Sequence, residues 1–349
     1  MDVIVVGGGP AGSAAAIWAA RLNLRVRLME RSAFPRHRPG ETLHPGVESI
    51  FRQLGVTERV SAASGLRHEG HEVTWAGHTT FERFGADAAG AWTGYQVARE
   101  DLDAILLARA RELGVDVIQP EAALEPIVRD GRVVGVRGCR AMEARYVVDA
   151  AGGRGWLARQ LQLPFAVASP PLRAYYGYCQ ADGDEHDAAP SMTGDGEGWT
   201  WTAQVAPRRF HWTRLAFESG AKPSVPPFRF AKHRPLGRAR GADVTWRQVP
   251  ECAGGGYFVA GDAAAVVDPA ASHGVLRALM SGMMAAHAVA RIVDGPVEER
   301  DAVDEYRGWI GMWFEHDVAR LSELYRQLDP GPAWLYKQSS EEELLWQRP

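Results

Sequence analysis

The stretch Asp2–Leu22, DVIVVGGGPAGSAAAIWAARL, decides the fold of this chain. After the initial aspartate, the residues up to Val6 are apolar and mostly β-branched, which predicts a parallel strand buried on both faces. A GxGxxG turn with glycines at positions 7, 9 and 12 follows at once, and the small and apolar residues after it predict a helix. A glycine turn between a strand and a helix is typical of dinucleotide-binding folds.

Each glycine of this turn has its own task in a dinucleotide site. Gly7 makes the tight turn, Gly9 lets the backbone approach a pyrophosphate, and Gly12 lets the helix pack closely on the strand. Pro10 and Ala11 open the helix, whose N-terminus would face the pyrophosphate. The alternative is a glycine-rich turn in another kind of α/β protein.

An acidic residue ends the second predicted strand, Arg25–Met29. Glu30 lies 18 residues after Gly12, at the distance where a carboxylate accepts hydrogen bonds from the hydroxyl groups of an adenosine ribose. We assign Arg31, the next residue, to the same cofactor site. These residues predict a dinucleotide but do not choose between NAD and FAD.

Length, composition and charge exclude several classes of protein. A chain of 349 residues exceeds the roughly 250–300 residues at which one hydrophobic core stops growing, so we expect two intertwined domains or one domain with a large insert. Hydrophobic residues make up 46% and charged residues 23%, which excludes disorder. The net charge of −4 offers no basic surface, so we expect neither nucleic acid nor membrane as a partner.

The three cysteines indicate a reducing compartment. Cys139, Cys179 and Cys252 are few, odd in number and unevenly spaced, so they form neither a disulfide framework nor a CxxC motif. We therefore expect a cytoplasmic protein without a metal site.

Strands recur along the whole chain, which predicts that the nucleotide-binding domain is discontinuous. Tyr146–Asp149 runs into another glycine-containing turn, and the strand that starts at Tyr257 ends in Gly261 and Asp262 before a long helix of small residues. The predicted parts are a cofactor domain over 1–65, 96–168 and 251–296, a substrate domain over 66–95 and 169–250, and a helical C-terminal segment over 297–349.

The motifs together resemble those of FAD-dependent oxidoreductases of the glutathione-reductase type, in particular the aromatic-hydroxylase branch. In that family a Gly-Asp motif, similar to Gly261 and Asp262 here, contacts the ribitol or a nearby phosphate. Arg99 resembles the family's arginine at the start of the helix that follows the first β excursion. The resemblance implies FAD and an α/β fold: a Rossmann domain for FAD, an inserted antiparallel-sheet substrate domain and a helical C-terminus.

Two further blocks narrow the resemblance. Phe34–Pro45, FPRHRPGETLHP, is similar to a segment shared by flavin-dependent halogenases, geranylgeranyl-reductase-like enzymes and the flavoproteins that mature tryptophylquinone cofactors. Asp268–Val275, DPAASHGV, is similar to the flavin-flanking segment of the same group. The chain thus resembles the tryptophan-halogenase clan, and most closely the tryptophylquinone-maturation flavoproteins. Within these blocks we assign to the FAD site Arg38, Glu41, Pro269, Gly274 and Val275.

Three departures from the halogenases argue against halogenation. That resemblance implies a lysine just beyond the first small helix, but the matching segment Ser64–Glu69 has none and no lysine precedes Lys222. Ala271 stands where indole halogenases carry a glutamate, and their WxWxIP segment is only half present from Trp199 onward.

The leading hypothesis is therefore an FAD-dependent monooxygenase that uses O2 to hydroxylate an indole-like or phenolic group through a flavin C4a-hydroperoxide. Its target is an aromatic small molecule or a tryptophan of a partner protein. Three alternatives stay open: a flavin-dependent reductase or desaturase of a hydrophobic substrate, a halogenase without the usual lysine, and a non-enzymatic FAD-binding chaperone of a partner.

The source of electrons is open as well. No second strand, GxGxxG turn and helix occur in the sequence, so we do not expect a permanent NAD(P)H domain. Either NAD(P)H binds transiently or a separate reductase delivers the electrons.

Candidate residues for the reaction lie beside the two motif blocks and in the predicted substrate sheet. His44 and His273 are candidate catalytic residues, because a neutral histidine can take a proton from an aromatic carbon or a phenol. Trp199 and Trp201 share one strand face and are assigned to the substrate pocket, with core packing as the alternative. For Glu41 the alternative role is a salt bridge to Arg36 or Arg38.

Overall fold

A computed structural model describes residues 1–183, 187, 189–218, 227–295 and 297–337. The predicted C-terminal segment therefore lies outside the described residues from 338 onward. The same holds for residues 184–186, 188 and 219–226 of the predicted substrate domain, and for residue 296 of the predicted cofactor domain. The division of the chain into those domains stays a prediction.

The helices of the described residues are α1 (Pro10–Arg21), α2 (Val47–Leu54), α3 (Thr57–Ala63), α4 (Arg99–Glu112), α5 (Trp156–Gln160), α6 (Gly274–Asp294), α7 (Glu299–Arg326) and α8 (Ala333–Lys337). Short 3-10 turns cover Phe228–Phe230, Gly261–Ala263 and Pro269–Ala271.

The strands of the first half of the chain are β1 (Val3–Val6), β2 (Val26–Met29), β3 (Thr42–Leu43), β4 (Leu66–His68), β5 (Gly70–Trp75), β6 (His78–Arg83), β7 (Ala86–Asp87), β8 (Gly90–Ala91), β9 (Gly94–Gln96), β10 (Asp116–Ile118), β11 (Glu125–Arg129), β12 (Arg132–Arg137), β13 (Ala141–Glu143) and β14 (Tyr146–Asp149). Those of the second half are β15 (Ala166–Val167), β16 (Arg173–Gln180), β17 (Ser191–Asp195), β18 (Gly198–Ala206), β19 (Arg209–Ala216), β20 (Arg234–Pro235), β21 (Arg240–Asp243), β22 (Arg247–Gln248), β23 (Ala253–Gly254), β24 (Tyr257–Val259) and β25 (Ala265–Val266).

A six-stranded sheet in the order β10-β2-β1-β14-β24-β23 forms the cofactor-binding half. Its first five strands run parallel, and only the edge strand β23 is antiparallel. Strands β1 and β14 are buried at every residue, because α1 and α6 pack against the sheet and strand β12 of a three-stranded sheet, β11-β12-β13, packs against β14. Ligands of such sheets bind at the carboxyl ends of the strands, and β1 and β14 end at adjacent residues, Val6 and Asp149.

A second, eight-stranded sheet carries most of the predicted substrate domain. Its order is β20-β16-β19-β18-β17-β5-β6, with β21 also paired to β16. All of these pairs are antiparallel except β17 with β5. The predicted α/β architecture, with an antiparallel sheet inserted into a Rossmann domain and helices at the C-terminal end, is confirmed.

Helix α7 connects the second sheet to the cofactor-binding half through hydrogen bonds. The indole nitrogen of Trp75 on β5 donates a hydrogen bond of 2.9 Å to the carbonyl of Leu324. At the other end of α7, the buried Tyr306 hydroxyl donates to the carbonyl of Val259 at 2.8 Å. Since Val259 ends β24, this single helix contacts both sheets.

Helix α6 packs against α1 without room for a side chain at the crossing. A Cβ atom on Gly282 would lie 2.0 Å from the carbonyl oxygen of Ala11, in the first turn of α1. By length and composition α6 could cross a membrane, but ten of its residues are buried within the protein. Its small and apolar residues are therefore explained by core packing.

We predict that Gly282→Ala destabilises the protein by about 1–3 kcal/mol, because an overpacked contact forces the two helices apart. The matched control is Gly308→Ala in α7, where nothing lies within 4 Å of the added Cβ. That change should stabilise the protein by about 0.5–1 kcal/mol, since it removes a flexible glycine from a helix. Urea denaturation of both variants checks the prediction, and equal stabilisation of the two would refute it.

Candidate active site

The N-terminal turn leaves no space for side chains where a diphosphate would lie. A Cβ atom on Gly12 would be 1.8 Å from the carbonyl oxygen of Gly7, and Gly7 has a φ of +106° that favours glycine. Among the described residues, no side chain caps α1 and no acid lies in its first turn. The free N–H groups of this helix end therefore fit an anion such as the FAD diphosphate.

Glu30 closes the turn from the end of β2. Its buried carboxylate accepts hydrogen bonds from the backbone N–H groups of Gly8 and Ser32, each at 2.8 Å. Arg36 forms an ion pair with it at 3.4 Å. A carboxylate has about four acceptor positions, so Glu30 keeps capacity for a ribose hydroxyl. The neighbouring Arg31 is exposed.

Three segments that are distant in sequence converge beside this turn. A Cβ atom on Gly40 would lie 3.4 Å from Arg99 Nη1 and 4.0 Å from Val275 Cγ2. Arg99 also donates a hydrogen bond of 3.1 Å to the carbonyl of Pro39. On the other side, a Cβ atom on Gly261 would lie 2.9 Å from that of Ala11. The residues predicted to hold FAD thus come from segments that the fold brings together.

Arginines lie near Asp262, which belongs to the 3-10 turn after β24. Its carboxylate has no hydrogen-bond or ion-pair partner among the described residues. Its side chain is exposed; its pKa is nevertheless raised from the usual value by partial desolvation, against the charges of Arg99, Arg247 and Arg38, which lower it. Arg38 itself is exposed. An acceptor among these cations suits the ribitol hydroxyls of FAD better than an isolated acid would.

The start of α6 supplies a second positive helix end. The helix begins at Gly274, and its first turn contains no acidic residue and no side-chain cap within the described part of the chain. Pro269 and Gly274 are exposed in this segment, and Val275 is half-buried. Its N-terminus carries roughly half a positive charge, which stabilises a nearby anion.

Glu41 connects the Gly40 segment, which is predicted to bind FAD, to strand β16 of the second sheet. Its buried carboxylate accepts hydrogen bonds from the Gly40 backbone, at 2.9 Å, and from the Tyr178 hydroxyl on β16. Burial and the charge of Glu41 raise the pKa of Tyr178, so Tyr178 remains a donor at neutral pH. The salt bridge to Arg36 or Arg38 does not form, because Arg36 pairs with Glu30 and Asp103 instead.

Four histidines gather beside the start of α6. The ring centroids of His44 and His273 are 5.0 Å apart, so the structure brings the two predicted catalytic residues together. The Phe84 ring lies 5.2 Å from His44, 5.5 Å from His68 and 5.9 Å from His71. We call His44, His68, His71 and His273 the imidazole cluster. Among the described residues, no group of three or more His, Cys, Asp or Glu could hold a metal ion.

Burial keeps the imidazole cluster neutral at physiological pH. Desolvation lowers the pKa of His68 and of His273 to about 4, and nearby positive charge acts in the same direction. The pKa values of His44 and His71 are also lowered, chiefly by desolvation. Nδ1 of His44 accepts a hydrogen bond from the Gly46 N–H at 3.0 Å, so a neutral His44 carries its proton on Nε2.

The two tryptophans assigned to the pocket differ in surroundings. Trp199 is 1% exposed in a hydrophobic core, where its indole nitrogen donates a hydrogen bond of 2.8 Å to the Tyr325 hydroxyl. Trp201 is only half-buried, and its ring lies 5.8 Å from that of His71. Trp201 therefore borders the imidazole cluster, while Trp199 packs in the core behind it.

Sequence reasoning missed His68, His71 and Phe84. Their signal in the sequence is weak: the segment Ser64–Glu69, which lacks a lysine, contains His68, and the residues after it include His71 and Phe84. Only the pairing of β5 with β6 and of β4 with β9 shows that the three rings meet.

The parallel sheet, the glycine turn and the convergence of segments at its carboxyl edge define a flavoprotein of the FAD-binding α/β class. The chain belongs to the FAD binding domain family, which it matches over residues 1–307. FAD as the cofactor, and an FAD-dependent oxidoreductase as the class of enzyme, are thereby confirmed. The electron source, the use of O2 and the roles of individual residues stay predictions.

The chain resembles known halogenases and a hydroxylase. A 1H-pyrrole-2-carbonyl-(peptidyl-carrier protein) brominase of Pseudoalteromonas luteoviolacea is 29% identical over 360 residues, which cover 93% of this chain and 86% of the relative. The structure of the myxobacterial chondrochloren halogenase CndH has a TM-score of 0.86 and 24% identity, over 96% of this chain and 85% of that one.

The hydroxylase is QhpG, a peptidyl tryptophan dihydroxylase essential for tryptophylquinone cofactor biogenesis. Its structure has a TM-score of 0.75 and 21% identity, over 97% of this chain and 78% of QhpG. The predicted resemblance to the tryptophan-halogenase clan is confirmed by these relatives, and the two structures show the shared fold.

We predict that His68→Leu makes the protein less sensitive to acid. Between pH 6.5 and about 4 the unfolded chain protonates this histidine and the folded chain does not, so stability falls as the pH falls through that window. Leucine removes this loss, which amounts to on the order of 3 kcal/mol. Denaturant unfolding at several pH values measures the difference. The control is His78→Leu on the exposed strand β6, and identical pH profiles for His68→Leu and the wild type would contradict the prediction.

Proposed function

We propose that this protein is an FAD-dependent monooxygenase that hydroxylates an indole-like or phenolic group. When bound and reduced, FAD would supply the two electrons with which O2 gives one oxygen atom to an aromatic C–H bond and the other to water. Two relatives support an aromatic target: the brominase is named for a carrier-bound pyrrole, and QhpG for a tryptophan within a peptide. The substrate of this chain is accordingly an aromatic small molecule or a tryptophan of a partner protein.

The observation that carries the proposal is the wall of flat rings at the start of α6. His44, His71, Phe84 and Trp201 form a chain of ring contacts with centroid distances between 5.2 and 5.9 Å. Such rings stack on a flat aromatic substrate and exclude water from it. A planar, electron-rich substrate fits these surroundings better than a flexible aliphatic chain.

The two central histidines are suited to different tasks. Neutral His44 presents an N–H at Nε2, because Nδ1 is occupied by the Gly46 N–H, and can therefore donate a hydrogen bond to a substrate oxygen. His273 is neutral because its pKa is lowered to about 4, so it can accept the proton that the aromatic carbon releases after hydroxylation. A weak base suffices, since regaining aromaticity makes that carbon strongly acidic.

Halogenation is the second candidate, and His68 is the residue that favours it. His68 lies in the segment Ser64–Glu69, where the halogenases are expected to carry lysine. It is 5% exposed, and neither ring nitrogen has a hydrogen-bond partner among the described residues. A neutral imidazole there could hydrogen-bond a hypohalous acid, although it lacks the positive charge of an ammonium group.

Product analysis separates the two candidates. We expect that the FAD-loaded protein, photoreduced and then exposed to 18O2, introduces 18O into indole, phenol or a tryptophan-containing peptide. The yield should not change when chloride or bromide is added, because the proposed reaction uses no halide. Mass spectrometry of the products measures both isotopes and halogens. A halogenated product that forms only with halide would refute hydroxylation and support halogenation.

We further predict that His273→Ala slows formation of the hydroxylated product at least about tenfold, because proton removal by a positioned base contributes about 10²–10⁴-fold to the rate. The wild-type rate should fall only as the pH approaches 4, not near 6.5, since protonated His273 cannot act as a base. His78→Ala, on exposed β6, should leave the rate unchanged. An unaltered rate in His273→Ala would remove this residue from the mechanism.

A further inference from the structure

A cavity of about 220 Å3 lies on the same face of the second sheet as Trp201, beside the Tyr178 hydroxyl that bonds to Glu41. It is formed by the middle of β16, the start of β19 and the chain before and within β21. The polar residues that line it are His37, Tyr176, Tyr178, Arg209, Arg238 and Arg240. None of the described lining residues is acidic, so the cavity carries a concentrated positive charge.

Its three arginines lack the partners that most arginines of this protein have. Arg214, on the same strand as Arg209, forms an ion pair with Asp195 at 2.9 Å. By contrast, Arg209, Arg238 and Arg240 form no ion pair and no side-chain hydrogen bond with any described residue. Three guanidinium groups around one cavity repel each other unless an anion lies between them.

Arg209 is held in place although its charge is not neutralised. Its guanidinium lies over the Tyr178 ring, 4.8 Å from the ring centroid, and its Nε is buried without a hydrogen-bond partner. Tyr178 is in turn fixed by its hydrogen bond to Glu41. A buried donor without a partner costs free energy, and an acceptor in the cavity would remove that cost.

The cavity adjoins the FAD site. A smaller cavity of about 40 Å3 shares His37 and Arg209 with it and is also lined by Arg38, Glu41 and Arg99, which are predicted to contact FAD. The larger cavity is below the roughly 300–1,000 Å3 of a pocket for a whole ligand. It therefore has the size for the charged end of a molecule whose remainder points toward the flavin or into solvent.

We propose that this cavity binds the phosphate or diphosphate group of a small molecule that approaches the FAD site. Guanidinium groups are the side chains best suited to this role, because each can give two parallel hydrogen bonds to phosphate oxygens. Two sources share this chemistry: a reduced nicotinamide dinucleotide that transfers a hydride to FAD, and the phosphate of a substrate tether. The proposal does not depend on whether the aromatic substrate is hydroxylated or halogenated.

The test measures binding of inorganic pyrophosphate to the FAD-loaded full chain by calorimetry. Saturation with FAD beforehand occupies the diphosphate cradle at α1, so that binding reports on the second site. We expect wild-type protein to bind pyrophosphate and Arg238→Gln/Arg240→Gln to bind it at least about tenfold more weakly, since each charge-assisted hydrogen bond contributes strongly. Both arginines are exposed, so the substitutions should leave the fold and the FAD absorption spectrum unchanged.

The matched control is Arg234→Gln. Arg234 is an exposed arginine of β20, bonds to Gln180 at 3.0 Å and does not line the cavity. Its loss changes the net charge without changing the site, so pyrophosphate binding should stay within about twofold of wild type. Absence of pyrophosphate binding in the wild type, or equal binding in the control and the double variant, would overturn the proposal.

Competition then identifies the source of the phosphate. NADP⁺ that displaces pyrophosphate would support the dinucleotide, and NADPH should then reduce the bound FAD in wild type but slowly in the double variant. Displacement by phosphopantetheine and not by NADP⁺ would support a phosphorylated substrate tether. These readouts need no aromatic substrate, so their failure is distinguishable from failure of the proposed hydroxylation.

Discussion

The buried carboxylate of Asp268 holds the two halves of this active site together. It accepts hydrogen bonds from the Trp246 indole at 2.9 Å, the Tyr325 hydroxyl at 2.6 Å and the Ala270 backbone at 2.9 Å. Tyr325 accepts another from Trp199. The Asp268 carboxylate thus links the flavin-flanking segment directly to Trp246 and to Tyr325 of α7. Through Tyr325 it is also linked to Trp199 of β18 in the substrate sheet. Burial raises its pKa to about 6, so without these three donors the charged form would be too costly to keep in the core.

This anchor determines the electrostatics of the cleft. Because Asp268 faces the protein interior, the segment after it reaches α6 without presenting a negative charge to the flavin side. The nearest titratable side chains are then imidazoles that burial keeps neutral, His44 and His273. A positive helix end beside neutral rings favours an anionic reduced cofactor. Arg277 in the first turn of α6 is paired with Asp317 of α7, and the charges of Arg277 and Arg320 both lower the pKa of His273.

Sequence patterns predicted the features that depend on residues close together in the chain. The turn at Gly7–Gly12, the acid at the end of β2 and the buried parallel strands follow from spacing and from burial on both faces, so the cofactor half could be derived from sequence. The substrate side could not, because contacts such as His68 with Phe84 depend on which strands pair. The fates of Trp199 and Trp201 show the same limit: alternation places them on one face, but only the packing of Tyr325 decides that one is core and the other borders the cluster.

Hydroxylation and halogenation differ in few requirements, and the position of His68 bears on one of them. Both reactions need a shielded flavin and a flat pocket for an aromatic target. Halogenation needs in addition a group that captures an oxidised halide beyond the flavin, and an ammonium group does so by charge as well as by hydrogen bonding. His68, with a pKa lowered to about 4, offers hydrogen bonding alone. Burial deprives His68 of charge and also leaves both ring nitrogens without hydrogen-bond partners among the described residues. Unpaired buried polar groups cost free energy. A leucine would fill the same space beside Gly94 without that cost, so a purely structural role does not explain a histidine here.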